Sequence, residues 1–186
     1  MKNPLHTLKA SFLELKSVKG VVLSAILLAA NVVFAYFATV YITPNIKIAF
    51  TFVIAALTGM LLGPGVAGVT FGLTDFIQYL FKPVGPYFPG FTISNMLIGL
   101  IYGFLFYKKK PTVLSAAIAS AVIGVFINIF LNTYWLSLLY GKGYLLLLPG
   151  RVVKNLIMIP VEATVIFAVN TAVHKLIKSK RIPYSF

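Results

Sequence analysis

Only three carboxylates occur in this chain of 186 residues, Glu14, Asp75 and Glu162, against sixteen lysines and arginines. Glu14 lies in a basic N-terminal stretch and is expected to do nothing beyond solvating it. Asp75 and Glu162 stand inside long apolar runs. An ionised group in hydrocarbon costs at least about 2.5–3.5 kcal/mol, so such residues face a cavity or a partner. Asp75 therefore either meets a ligand or forms an ion pair with a lysine or arginine that holds helices together. Glu162 falls near the middle of its run and is expected to be structural. Arg151, Lys154 and Asn155 follow Leu148-Pro149-Gly150, and their spacing of three and four places them on one helical face. A guanidinium suits bidentate recognition of a carboxylate. The trio is thus expected to bind an anionic ligand group rather than to anchor a helix end. Aromatic residues gather at 79, 81, 87, 88, 91, 134, 135, 140 and 144. An interfacial belt explains several of them. Phe88 and Phe91 flank the bend Pro89-Gly90 and are expected to wall a slot for a flat ligand.

Other chemistries lack their residues. With no cysteine there are no disulfides and no thiolate ligands. His6 and His174 have no metal-ligand partner at useful spacing, so neither metal nor cofactor is expected. Gly63-Pro64-Gly65-Val66-Ala67-Gly68 lacks the lysine-serine ending of a phosphate loop. No Ser-His-Asp set is present. The chain is expected not to be an enzyme, and any use of ATP would require another subunit.

The elements that hold these residues are apolar. Hydrophobic residues make up 60% of the chain and charged ones 10%, and mean hydropathy is +0.97. A soluble domain carries about a quarter charged residues, so the solvent is a bilayer. The net charge of +13 sits in short clusters between apolar runs, which argues for topology signals and against nucleic acid. No residue is charged between Lys19 and Lys47, Lys47 and Asp75, Lys82 and Lys108, or Lys110 and Lys142. A spanning helix needs about 20 apolar residues. Six are expected, near 20–42, 46–62, 65–80, 92–107, 112–138 and 149–176, in one all-α membrane bundle. The second and third share an uncharged run, split at Gly63-Pro64-Gly65, where glycine permits a reversal and proline lacks a donor. Residues 82–90 hold three prolines and two glycines and are expected to form a structured loop. The first apolar run exceeds the ~7–15 residues of a signal-peptide core and is expected to be retained.

Eleven basic residues fall on the side of the N-terminus and five on the other. The positive-inside rule then places both termini in the cytoplasm. Residues 2–17 are expected to lie on the inner membrane surface, drawn to anionic lipid. Ala25 and Ala29, four residues apart on the first helix, form a small-xxx-small pair that allows close approach of another helix.

These features together resemble the substrate-binding S components of energy-coupling factor (ECF) transporters, over the whole chain. Gly63-Pro64 followed by Gly72-Leu73-Thr74-Asp75 looks like a junction common to these vitamin binders, and Ala25 and Ala29 match their A-x-x-x-A motif. The folate-specific branch is the nearest, on Tyr87-Phe88-Pro89-Gly90-Phe91-Thr92-Ile93-Ser94, on the run from Asn132-Thr133-Tyr134-Trp135 to Gly141-Lys142, and on Leu148-Pro149-Gly150-Arg151-Val152-Val153-Lys154-Asn155. Relatives that bind pantothenate, or pyridoxine and hydroxymethylpyrimidine precursors, share parts of the pattern.

The resemblance implies a bacterial cell-membrane protein that captures folate from outside and delivers it to a transmembrane coupling subunit, met through Ala25 and Ala29, and two ATPases. It implies a site drawn from Asp75, Tyr87, Phe88, Phe91, Thr92, Tyr134, Trp135, Arg151, Lys154 and Asn155. There the pterin would stack between Phe88 and Phe91 with its edge on Asp75, and the glutamate tail would meet Arg151 and Lys154. Two rival functions are an autonomous secondary transporter, which would need internal repeats and titratable relays, and a membrane scaffold.

Overall fold

The computed structural model describes residues 4–43, 46–81, 83 and 85–179. Lys2, Lys82, Lys180 and Arg181, counted above for topology, lie outside the described residues.

Helix α1 spans Pro4–Glu14 and α2 spans Val18–Phe37. The Ser17 hydroxyl accepts from the Gly20 N–H at 3.0 Å and caps α2. The expected first helix, 20–42, starts two residues late and ends five residues late. After Phe37 the chain forms an antiparallel hairpin, β1 Thr39–Thr43 and β2 Ile46–Ala49, with Thr39 opposite Ala49. The purely helical fold expected above is corrected on this point. Residues 39–43 and 46–49 are rich in threonine, valine and isoleucine, whose branched side chains suit strands, and hydropathy alone does not tell such a stretch from a helix end.

Helix α3 runs over Thr51–Phe81 and is broken at Gly63, whose backbone lies at φ 81°, ψ −179°. Side chains are excluded from that conformation, so glycine is required there. Thr51 and Phe52 at one end of the run line the same cavity as Gln78, Tyr79 and Phe81 at the other. The chain therefore turns back at Gly63, as the Gly63-Pro64-Gly65 split anticipates. Among the described residues five helical runs are long and apolar enough to cross a membrane, and this break divides one of them into two segments, which gives the six expected.

Helix α4 occupies Pro89–Phe106, with Pro89 in the first turn, where a missing N–H is harmless. It thus starts three residues before the expected boundary. It lies backbone-close to α3: a Cβ at Gly99 would overlap the Ala67 carbonyl, and one at Gly103 would overlap Cα of Pro64. Small residues permit such contact where hydrophobicity cannot drive association. Tyr102, Phe106, Met60 and Leu62 fill the core between these helices.

Thr112 and Ser115 form a reciprocal capping box at the start of α5, Val113–Val122. The helix continues as a π-helical stretch, Ile123–Leu131, and then as α6, Asn132–Tyr140, ended by Gly141 at φ 63°. Helix α7, Tyr144–Lys178, passes through Pro149 and Pro160. It begins five residues earlier than expected, since neighbouring groups in a membrane bundle can satisfy the carbonyls that proline frees.

The N-terminal arm is also corrected. It does not merely lie on a surface: Ser11 is fully buried against the α3 bend. Its hydroxyl donates to the Leu62 carbonyl at 2.6 Å and accepts from the Val66 N–H at 3.0 Å. Glu14 is not a bystander either. It accepts from the Tyr107 hydroxyl at 2.7 Å and pairs with Lys108 at 3.0 Å.

Candidate functional site

One cavity of about 720 Å³ opens among α2, the β-hairpin, both ends of α3, α4, the π-helical stretch, α6 and α7. Its size falls in the range of small-molecule sites, roughly 300–1,000 Å³.

One wall is organised around Asp75. The Thr92 hydroxyl donates to one carboxylate oxygen at 2.6 Å and the Asn95 amide to the other at 2.8 Å. Asp75 thereby ties α3 to α4 from within a membrane-spanning segment. Thr92 in turn pairs with the Tyr87 hydroxyl at 2.8 Å. Tyr87 packs against Phe76 and Tyr79 at centroid distances of 5.8 and 5.2 Å. Asp75 and Tyr87 line the cavity, whereas Thr92 stands behind Asp75 as its donor.

Phe88 and Phe91 also line the cavity, but they are not the two walls of a slot. Their rings meet edge to face, 5.9 Å between centroids and 68° apart, which leaves no room for a flat group between them. Phe88 also packs on Trp135 at 5.6 Å, and the Trp135 indole N–H donates to Ser94 at 3.1 Å. Trp135 therefore backs Phe88 rather than lining the cavity. Tyr134 is not brought to the site. It is half exposed and borders a separate apolar recess with Phe126, Phe130 and Tyr144. The two residues are consecutive on a helix, so their side chains diverge by about 100°.

The opposite wall is cationic. Arg151, Lys154 and Asn155 all reach the cavity, as their spacing requires. The Arg151 guanidinium donates to the Asn128 carbonyl at 3.0 Å. Asn128 lies in the π-helical stretch, and such irregular turns recur at functional sites. The Asn155 amide is held on the Arg151 carbonyl at 2.8 Å, and the Asn132 amide on Asn128 at 3.2 Å.

Further polar residues line the cavity that the sequence did not single out: Asn31, Gln78, Asn95, Asn128 and Asn132. An amide in an apolar run is a signal of its own, and it was available at each of these positions. Glu162, expected to be structural, is also a lining residue, together with Tyr102. Ala25 and Ala29 both lie on the exposed face of α2, away from the cavity. Among the described residues there is no cluster of metal-ligating side chains.

Residues 19–170 match the family described as the ECF transporter substrate-specific component. The chain is 38% identical over 153 residues to a protein of Clostridium novyi (strain NT) named folate transporter FolT, covering 82% of this chain and 88% of that one. It is 29% identical over 126 residues to a protein of the same name from Leuconostoc mesenteroides subsp. mesenteroides, covering 64% of this chain and 68% of that one. A crystal structure described as FolT bound with folic acid superimposes with a TM-score of 0.79 at 36% identity, over 84% of this chain and 97% of that one. Match, fold and cavity agree, and none of these relatives is an enzyme: the chain belongs to the substrate-specific, membrane-embedded components of ECF transporters.

Proposed function

We propose that this protein captures folate in the cavity described above and hands it to an ECF coupling module. The observation that carries the reading is one cavity that joins a cationic wall, Arg151 and Lys154, to an aromatic wall, Tyr87, Phe88 and Phe91. Folate presents a flat pterin and a glutamate tail with two carboxylates. Arg151 and Lys154 answer the tail with charge-assisted hydrogen bonds, and Asn155 supports them from one turn below. The aromatic wall offers faces and edges to the rings. The folate relatives supply the choice among vitamins.

Delivery needs partners, because the chain has no phosphate loop. The transmembrane coupling subunit would pack on Ala25 and Ala29, whose small side chains leave the α2 surface open to close helix approach. Two ATPases would supply the energy. The lysine clusters favour a cytoplasmic location for both termini, and thus a cavity that faces out of the bacterial cell membrane.

Titration of the purified subunit with folate tests the reading, followed through Trp135, the single tryptophan. Trp135 packs on Phe88 in the cavity wall, so occupancy should change its emission. Pantothenate and pyridoxine run beside it. Saturable tight binding of folate alone is the expected result. Tight binding of either other vitamin, with no response to folate, would sink the folate assignment.

A further inference from the structure

Helix α1 has two faces, and the bundle uses only one of them. Ser11 points inward and is fully buried on the α3 bend, and Glu14 on the same side accepts from Tyr107 and pairs with Lys108. Phe12 joins the two faces. Its ring lies within 2.7 Å of where a Cβ at Gly65 would stand, yet the residue is half exposed. The other face carries Leu5, Lys9 and Leu13, all exposed, and Lys16 is exposed just beyond the helix end. At about 100° per residue, positions 5, 9, 12, 13 and 16 fall in one strip roughly 100° wide.

An apolar strip studded with lysines is the pattern of a helix that lies in a membrane interface. Lysine stems can follow such a strip while their ammonium groups reach the headgroups. The position agrees. Residues 15–17 alone separate α1 from α2, the first run apolar enough to span a membrane, so α1 lies at the level where the chain enters hydrocarbon. Val18, Val21 and Val22 carry the exposed apolar surface onward into that span. The charge agrees as well. Of the three carboxylates in the chain, Asp75 and Glu162 line the cavity, and Glu14 is turned inward onto Lys108. No acid is left to neutralise the strip, so Lys9 and Lys16 present cation alone to whatever covers it.

We infer that the outward strip of α1 binds anionic phospholipid, with Leu5, Phe12 and Leu13 in the acyl boundary and Lys9 and Lys16 on the headgroup phosphates. The basic composition of the arm points to a membrane surface; the fold decides which residues meet it, by hiding the arm's one acid on the opposite side. Ser11 on that opposite side completes the broken α3, so a single helix joins the lipid headgroups to the turn of the bundle. The interaction is independent of folate.

The test uses the purified full chain in lipid nanodiscs. A bimane label on Leu13→Cys, the one thiol in that variant, reports contact with phosphatidylglycerol or phosphatidylcholine that carries the same acyl-chain nitroxide at equal mole fraction. Both lipids should quench the label, and phosphatidylglycerol should do so as though enriched about fivefold. The preference should vanish at high salt, which screens exposed charge, and in Lys9→Gln combined with Lys16→Gln. Lys175→Gln combined with Lys178→Gln, in the last turn of α7, should keep it. Absence of quenching by either lipid would put the strip in water, and equal quenching by both would remove the anionic preference; each overturns the inference. So does a preference that survives the Lys9 and Lys16 substitutions. Loss of quenching once the coupling subunit and ATPases are added would assign the strip to a protein partner, and overturns it too.

Discussion

Ser11 and Gly63 meet where α3 turns back on itself, with a Cβ at Gly63 only 2.9 Å from the Ser11 side chain. A helix broken inside a membrane leaves carbonyl and N–H groups with no water to take them. Ser11 supplies both missing partners, accepting from Val66 and donating to Leu62. The N-terminal helix is thus part of the bundle, and the Glu14–Lys108 pair fastens its end.

Replacing Ser11 with alanine removes the hydroxyl and adds no bulk at this fully buried position. The buried groups of Leu62 and Val66 are left unpaired at a cost of about 1–3 kcal/mol each. Gly63→Ala forces a side chain into a conformation that costs on the order of 1–3 kcal/mol, and it also strikes Ser11. Both variants should lower the melting temperature of the detergent-solubilised protein, whereas Ser11→Thr, which keeps the hydroxyl, should lower it less. Wild-type melting in Ser11→Ala would refute the bracing role.

Arg151→Ala removes a charge-assisted contact to the proposed anionic tail. Folate affinity should fall by about ten- to a hundred-fold, measured by calorimetry. Arg151 also holds the Asn128 carbonyl, so a melting curve belongs beside the titration. A variant as stable as wild type and equally avid would place the tail elsewhere.

Ala25→Leu combined with Ala29→Leu enlarges an exposed face and touches nothing in the cavity. Folate binding by the isolated subunit should survive. Uptake in cells that carry the coupling subunit and ATPases should be lost, because the two helices can no longer approach. Normal uptake would mean that this face is not the docking surface.

Topology is open to direct labelling, because the chain has no cysteine of its own. A cysteine at Lys142 should react with an impermeant thiol reagent added outside intact cells. One at Lys109 should react only after the cells are opened. The reverse pattern would turn the cavity toward the cytoplasm.

Much of this protein was legible in one dimension. Charge-free runs between lysines marked the spanning segments, because charge in hydrocarbon is expensive wherever it falls. Gly63-Pro64-Gly65 marked the reversal, because few other sequences tolerate one. Arg151, Lys154 and Asn155 shared a face by spacing alone, and all three reach the cavity. The rest was decided by tertiary contact. In an apolar chain hydropathy does not separate the bundle-facing side of a helix from the lipid-facing side, since lipid is as apolar as a core. Small residues and polar contacts between helices therefore set the rotation of each one. That rotation turned Tyr134 away from the cavity while leaving Trp135 behind Phe88. It brought Asn31, Tyr102 and Glu162, distant in sequence, to one cavity. It also set Phe88 edge-on to Phe91. The hairpin at 39–49 and the docking of Ser11 into the α3 bend follow the same logic. Backbone groups freed at a break must find partners, and only the folded neighbours determine which ones are within reach.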